Sequence, residues 1–330
     1  MSAPERIPPQ PGLTADEAQT LGRGELTVHG RITSASNTVL YATAELAGCR
    51  LPCVYKPVAG ERPLWDFPDG TLARREVAAY EVSQALGFGL VPPTVLRDGP
   101  LGEGMVQLWV GPEPGGAGAE ATSEAAGERA AEAAGEGDRE ARELARKEAE
   151  EAQEAAADGS QGADGAVPGP GRLLALLDAE EPGEGWKAVG FARLDEHRTA
   201  LLVHADDERL ARVAALDAVI NNGDRKGGHL LPLPDGRLYA IDHGVTFHTE
   251  NKLRTLLWGW AGEPLPAPVL SALRLLDAEL AEGRPLTSRL LRLITVEEWE
   301  ALRARTAGLL RSGRFPEPSG EWPAIPWPLI

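Results

Sequence analysis

Residues 111–170 constrain the fold of this chain more than any motif in it. They hold 15 Asp/Glu, 5 Lys/Arg and no aromatic residue, and Leu144 and Val167 are their only large apolar side chains. A segment this poor in apolar surface cannot offset the entropy of ordering itself. Arg139–Ala157 is rich in Ala, Glu and Arg and carries a Glu143/Lys147 i,i+4 pair, so a lone solvated helix is the most structure it supports. The 111–170 stretch therefore reads as an Ala/Glu/Gly-rich insertion, and the fold must be built from what lies on either side.

The two sides differ in kind. Residues 1–20 form a polar leader, disordered except for a short helix from Thr14, where Glu17 three residues on completes a capping box. Strand-like runs follow at Glu25–Ile32, Thr38–Ala44 and Arg50–Pro57. The period then turns helical over Leu72–Leu86, and strand character resumes at Val95–Leu96 and Met105–Val110. After the insertion come an apolar run at Arg172–Leu177, a helix at Leu210–Ile220, and a hairpin of Leu230–Leu233 with Arg237–Ile241. Helical patterns continue at Leu253–Trp260, Ala267–Glu282, Thr287–Leu293 and Thr295–Arg311, with Trp258, Trp260 and Trp299 as core residues. The proline-rich end, Phe315–Ile330, reads as an extended strap. The expected fold is α+β and two-lobed: a small β-rich N-lobe over residues 21–110 and a larger, mostly helical C-lobe over 171–330.

Charge excludes several function classes once it is located. Of the net −17, the 111–170 stretch holds −10, leaving −7 on the other 270 residues. No basic stripe suits a nucleic acid, and no polybasic patch suits anionic lipid. No run of 18 apolar residues could span a membrane, and Met1–Thr20 lacks an apolar signal region. The cytoplasm is the expected location. Cys49 and Cys53 share a strand face about 13 Å apart at roughly 3.3 Å per residue, too far for a disulfide.

Two short stretches carry chemistry: Asn221-Asn222-Gly223-Asp224-Arg225-Lys226-Gly227-Gly228-His229 and Ala240-Ile241-Asp242-His243-Gly244. Asp224 in a Gly-bounded turn can orient a hydroxyl or accept its proton. His229 stands five residues on, and Asp242 follows an apolar strand just before a glycine. A base and two metal ligands on neighbouring turns are what phosphoryl transfer from ATP needs, because that chemistry is mostly positioning and charge neutralisation. Each residue alone is also an ordinary turn residue; their ordered spacing favours a site.

Upstream, Lys56 closes the apolar strand Leu51–Pro57, and Glu76 lies twenty residues later on the predicted helix. A strand lysine paired with a helix glutamate is how kinases hold the α/β-phosphates of ATP, although Arg74 and Arg75 offer Glu76 a competing surface pair. The turn Gly30–Thr38 presents Ser34, Ser36 and Asn37, where a phosphate could meet backbone N–H groups. It matches neither G-x-G-x-x-G nor a P-loop.

On these residues the chain resembles the phosphatidylinositol 3-/4-kinase-like branch of the protein-kinase superfold, and within it a group of actinobacterial proteins. The resemblance spans roughly 25–110 and 190–310 and is most specific at Asp217–Asp242. It implies Lys56 as the ATP-phosphate lysine, Glu76 as its partner, and Gln107-Leu108-Trp109-Val110 as the hinge strand that holds adenine. It implies Asp224 as the catalytic aspartate and Asp242 as the metal aspartate. Val91-Pro92-Pro93-Thr94 resembles a turn of type II phosphatidylinositol 4-kinases. His229 departs from the asparagine those kinases carry, and the stretch after Asp242 offers Lys252 and Arg254 as its only cations, few for a phosphoinositide headgroup.

The expectation is a phosphotransferase using ATP with Mg²⁺ or Mn²⁺, with Asp242 and His229 on the metal and a protein or small-molecule hydroxyl as acceptor. Two alternatives stand beside it. One is a nucleotide-binding regulator with little catalysis, whose 111–170 insertion recruits a protein partner. The other is a kinase-like enzyme that transfers AMP.

Overall fold

A computed structural model describes residues 13–32, 37–62, 64, 66–67, 72–111, 172–193, 198–327 and 329. The leader before Leu13, the bulk of the insertion with its 139–157 helix, Ser34 and Ser36 lie outside the described residues.

The first described helix, α1 (Ala15–Arg23), begins at the expected capping box. The Glu17 N–H donates to Thr14 Oγ1 at 3.2 Å, and the Thr14 N–H donates back to Glu17 Oε2 at 2.8 Å. Its Leu21 is buried among side chains of the sheet that follows. That sheet contains β1 (Glu25–Arg31), β2 (Leu40–Leu46), β3 (Cys49–Pro57), β4 (Thr94–Gly99) and β5 (Gly102–Leu108), antiparallel throughout in the order β1-β2-β3-β5-β4. Ala47 and Gly48 join β2 to β3 with φ of 51° and 84°. Positive φ at both central residues is what a two-residue hairpin requires to match strand twist. Alternation along β3 places Leu51, Cys53 and Tyr55 in one core with Leu26, Leu40, Ala42 and Val106, while Lys56 points to the other face. Cys49 and Cys53 are both free thiols.

Helix α2 (Leu72–Ala85) lies between the two halves of the molecule. Its first amides are capped from outside the helix, since Glu61 accepts from the N–H groups of Leu72 and Ala73 at 2.9 and 2.7 Å. Ala73 and Val77 pack with Met105 of β5, and Ala78, Ala79 and Val82 join the large core of the second half. The helix is therefore fixed to both lobes at once. Arg75, 1% exposed, reinforces this by pairing with Glu298 at 2.5 Å and donating to Thr246 O.

The second half opens with three strands, β6 (Leu174–Leu177), β7 (Trp186–Arg193) and β8 (Thr199–Ala205), in the antiparallel order β6-β8-β7. Then come α3 (Glu208–Ile220), the hairpin β9 (Leu230–Pro232) and β10 (Leu238–Ala240), and the helices α4 (Ala267–Glu279), α5 (Pro285–Leu290) and α6 (Val296–Ser312). Leu210, Val213, Leu216 and Val219 of α3 sit at the middle of this core, with Trp260, Leu273 and Trp299 around them. Trp258, Trp260 and Trp299 are all buried, as expected of core residues.

One helical expectation fails. Leu253–Trp260 contains only the short 3₁₀ turn Trp258–Trp260. Arg254 and Thr255 are instead held extended against Asn222 and Arg225, and a tertiary backbone ladder there overrides local propensity. The strap is present: Ala324 O accepts from the Thr255 N–H and the Trp258 indole, and Leu329 O accepts from the Gly227 N–H. The fold is α+β and two-lobed, with a small β-rich N-lobe and a larger, mostly helical C-lobe.

Candidate functional site

The Asn221–His229 loop is shaped by a buried charge pair beneath it. Asn221 ends α3 in the left-handed region at φ 54°, and its side-chain amide donates to the carbonyls of His248 and Glu250. Asp217, on the last turn of α3, accepts from Arg225 Nε at 3.0 Å and Nη2 at 2.9 Å, and from Asn222 Nδ2 at 2.9 Å. Both members of the Asp217–Arg225 pair are fully buried. A fork of this kind fixes geometry as well as charge. Arg225 also donates to Ile241 O and contacts His243 Nε2 at 2.7 Å, so one guanidinium joins the Asp224 loop to the Asp242 turn.

Asp242 has φ 58°, a left-handed conformation that aspartate tolerates better than bulkier residues. The turn places its carboxylate between two groups from different elements. Lys56 Nζ of β3 lies 3.5 Å from Oδ1, and His229 Nε2 lies 3.4 Å from Oδ2. Glu76 Oε1 accepts from Lys56 Nζ at 2.6 Å, and Glu76 Oε2 accepts the His243 N–H at 2.9 Å. The competing surface pairing of Glu76 does not form: Arg75 turns inward to Glu298, and Arg74 pairs with Glu103.

The electrostatics follow from this geometry. Burial alone would lower the Lys56 ammonium, but the Asp242 and Glu76 carboxylates outweigh it and hold its pKa above the ordinary lysine value. Lys56, with His229 and His243 adding to it, in turn keeps the half-exposed Asp242 carboxyl well below the usual range. Burial pushes His229 down to about 4 against the opposing pull of the Asp242 carboxylate, with Arg225, Lys226 and Lys56 acting in the same direction as burial. At neutral pH its imidazole is uncharged and has a lone pair to offer. Asp224 is raised by burial and by Asp242, against the lowering effect of Lys226, whose Nζ lies 3.2 Å from Oδ2.

Sequence reasoning passed over two residues here. Lys226 sits two positions after Asp224, inside the stretch singled out, and its signal was that spacing. Arg225 gives no signal in a linear reading, because its partners are Asp217, Ile241 and His243.

The remaining expected residues are spread around the N-lobe. Asn37 Oδ1 accepts from the Arg62 N–H, which ties the β1–β2 loop to the segment after β3. Gln107 is buried, and its amide donates to Thr94 Oγ1 at 2.8 Å. The Leu108 and Trp109 N–H groups donate to Pro93 O and Pro52 O, each at 2.9 Å. Val110 alone in that strand end keeps an N–H with no partner among the described residues.

No group of three or more His, Cys, Asp or Glu among the described residues is arranged to hold a metal. The donor set is the Asp242 carboxylate, 49% exposed, with His229 beside it. A divalent ion that takes the rest of its ligands from phosphate and water needs no more from the protein.

Together these features define a two-lobed α+β protein in which a strand lysine bridges a helix glutamate and an aspartate of the second lobe. The chain is 44% identical over 316 residues to Protein Rv2133c of Mycobacterium tuberculosis, covering 96% of each, and it belongs to that protein's family. No family model matches the chain, so the likeness to phosphatidylinositol 3-/4-kinases gains no support there. Solved structures that resemble it include the Golgi casein kinase (TM-score 0.45, 12% identity, 90% of this chain and 74% of that one). The same kinase with Mn/ADP bound gives a TM-score of 0.45 at 13% identity over 92% and 80% of the two chains. Hydra Fam20 with sugar gives 0.45 at 13% identity over 90% and 86%. At that distance the site's own geometry has to carry the functional reading. No helix among the described residues is long and apolar enough to cross a membrane.

Proposed function

We propose that this protein is an ATP-dependent phosphotransferase acting on a hydroxyl acceptor. One observation carries the reading: Lys56 on a strand is fixed by Glu76 on a helix and simultaneously faces Asp242 from the other lobe. A buried glutamate spent on orienting a lysine toward a second carboxylate serves no packing need. It is the arrangement that presents an ammonium to nucleotide phosphates.

The roles divide by position. Lys56 binds the α/β-phosphates, and Glu76 keeps its ammonium aimed while also holding the Asp242 turn through the His243 amide. The Val110 N–H is the backbone donor left for adenine. Asp242 and His229 would hold Mg²⁺ or Mn²⁺, and such an ion would supply charge neutralisation during transfer. Asp224 orients the acceptor hydroxyl and receives its proton as the oxygen–phosphorus bond forms and the bond to the leaving ADP breaks. Burial raises the Asp224 pKa, which makes it a better proton acceptor than a solvated aspartate. Lys226, paired to Asp224, lies where it can screen the transferring phosphate.

The acceptor is a protein side chain or a small polar molecule. Lys252 pairs with Asp66 at 3.0 Å, which leaves little positive charge for a polyphosphorylated lipid headgroup. The test is incubation with γ-labelled ATP and Mg²⁺ or Mn²⁺ in the presence of hydroxyl acceptors. Label transfer by the wild type and its loss in Asp242→Asn are expected. Nucleotide binding with no transfer to any acceptor or to water would make the protein a nucleotide-binding regulator instead, and an added AMP mass would make it an AMP transferase.

A further inference from the structure

Arg254 and Trp322 are far apart in sequence and meet beside Asp224. The Arg254 backbone runs across the Asp224 turn: its N–H donates to Asn222 O at 2.9 Å, and its carbonyl accepts from the Arg225 N–H at 3.0 Å. The residues on both sides of Asp224 are thus bonded to Arg254. From the strap, Trp322 lies under two cations, with Lys252 Nζ at 4.6 Å and Arg254 Cζ at 5.5 Å from its ring. The two cations are in different states. Lys252 is neutralised by Asp66. Arg254 pairs with no carboxylate among the described residues, and its Nε is buried without a hydrogen-bond partner. The Trp322 indole Nε1 is also buried and unpartnered.

Arg254 and Trp322 are both half-buried, and neighbouring donors without a partner, one of them on a charged group, can be satisfied by an acceptor from outside the chain. The guanidinium fork suits a carboxylate or a phosphate, which it can take with two parallel hydrogen bonds. The strap carries no acidic group to this point: Glu321 is exposed, and its amide is turned back to Ser319. Asp224 feels the Arg254 charge, which acts with Lys226 to lower its pKa, but its ion-pair partner is Lys226.

We propose that Arg254 and Trp322 form an anion subsite for the acceptor, so that the molecule whose hydroxyl meets Asp224 carries a carboxylate or phosphate close to that hydroxyl. This rests on Asp224 being the residue that positions the acceptor. It makes Arg254 a specificity-determining residue and Trp322 its support. The strap then contributes to the substrate site rather than merely covering the C-lobe.

Two measurements on the full chain test it. In the first, inorganic phosphate is titrated without nucleotide, and the Trp322 indole N–H resonance, identified by its loss in Trp322→Phe, is followed by NMR. The wild-type resonance shifts, and in Arg254→Gln it does not. A resonance that stays still in the wild type, or moves equally in the variant, overturns the subsite. This arm needs no catalysis, so a shift in a protein that transfers no phosphate would refute the phosphotransferase reading alone.

In the second, transfer from ATP is compared within two acceptor pairs, a serine peptide with flanking glutamates against its glutamine counterpart, and glycerol 3-phosphate against glycerol. Whichever pair is used, the anionic member is preferred, and the pair that takes label identifies the source of the anion. Arg254→Gln raises KM for that anionic acceptor about tenfold, the loss of one charge-assisted pair, and leaves the neutral acceptor's KM unchanged. Equal rise in KM for ATP and for both acceptors would place Arg254 on the nucleotide and overturn the proposal.

Discussion

Lys56 Nζ lies 2.6 Å from Glu76 Oε1, and this one contact joins β3, α2 and, through Asp242, the C-lobe. Glu76 is 2% exposed and uses both carboxylate oxygens, so removing its charge leaves a half-buried lysine facing Asp242 alone. Glu76→Gln is expected to weaken nucleotide binding by about tenfold or more, since the ammonium loses its aim. The cost to stability should be about 1–3 kcal/mol, the range for breaking a buried charged hydrogen bond. Calorimetric titration with ATP and a denaturant unfolding curve measure the two effects separately.

Asp242 combines the carboxylate proposed to hold the metal with a left-handed backbone, and substitutions separate the two. Asn tolerates φ near 58° and keeps the side-chain shape, so Asp242→Asn should retain the wild-type Tm within a few degrees. It should abolish ATP turnover. Asp242→Val adds a β-branched side chain at positive φ and should lose stability as well, by more than about 1 kcal/mol. Turnover and thermal unfolding of both variants check this; wild-type turnover in Asp242→Asn would refute the assigned role.

Most of the frame was legible in the sequence because its signals are local. The Thr14–Glu17 box, the alternation in β3 and the helical period of Leu72–Leu86 each lie within a window of a few residues, and each element formed. The pairing of Lys56 with Glu76 could be inferred because a lysine closing a strand and a glutamate on the next helix match the pair with which kinases hold ATP phosphates. What escaped was non-local. β7 and β8 follow the insertion, and β8 is buried along almost its whole length, so it shows no alternation to read. Leu253–Trp260 carries a helical pattern, yet Arg254 and Thr255 are claimed by Asn222 and Arg225. Arg225 carries no local signal, because its partners Asp217, Ile241 and His243 come from a helix and from the Asp242 turn.

His229 stands beside Asp242 with its ring neutral at physiological pH, and imidazole favours softer divalent ions than Mg²⁺. Turnover by the wild type should therefore be faster with Mn²⁺ than with Mg²⁺. His229→Asn replaces the ring by an oxygen donor and should move the preference toward Mg²⁺, while nucleotide affinity without metal stays unchanged. Rates measured with each ion across the two proteins test this, and an unaltered metal preference would remove His229 from the site.

The strap grips the loop it crosses. Leu329 O takes the Gly227 N–H, one residue beyond Lys226, and Ala324 O takes Thr255 and Trp258. A chain ending at Gly320 loses these contacts and the Trp322 ring over Lys252 and Arg254. It should fold with a Tm lowered by several degrees, as expected for a loss of about 1–2 kcal/mol, and should show faster amide exchange at Gly227 and Thr255. Exchange unchanged at those two amides would show that the strap does not hold the loop.

His204 provides a pH dependence that is independent of catalysis. It is fully buried; Nδ1 lies 2.9 Å from Ala205 O, Nε2 accepts the Gly259 N–H, and the ring rests 4.2 Å from that of Trp260. Burial pushes its pKa down to about 4; Lys187 acts in the same direction, while Ala205 O, Asp206 and Glu263 partly oppose it. An unfolded histidine titrates near 6.5, so between the two values the unfolded chain binds the extra proton. The neutral ring's contribution is therefore complete above about pH 6.5 and is lost as pH falls toward 4. At pH 5 the loss from this residue amounts to roughly 2 kcal/mol. His229 and His243, also depressed by burial, act in the same sense. Denaturant unfolding at pH 7 and pH 5 should show the decline, and His204→Gln, whatever its own stability, should have a shallower slope between those two pH values.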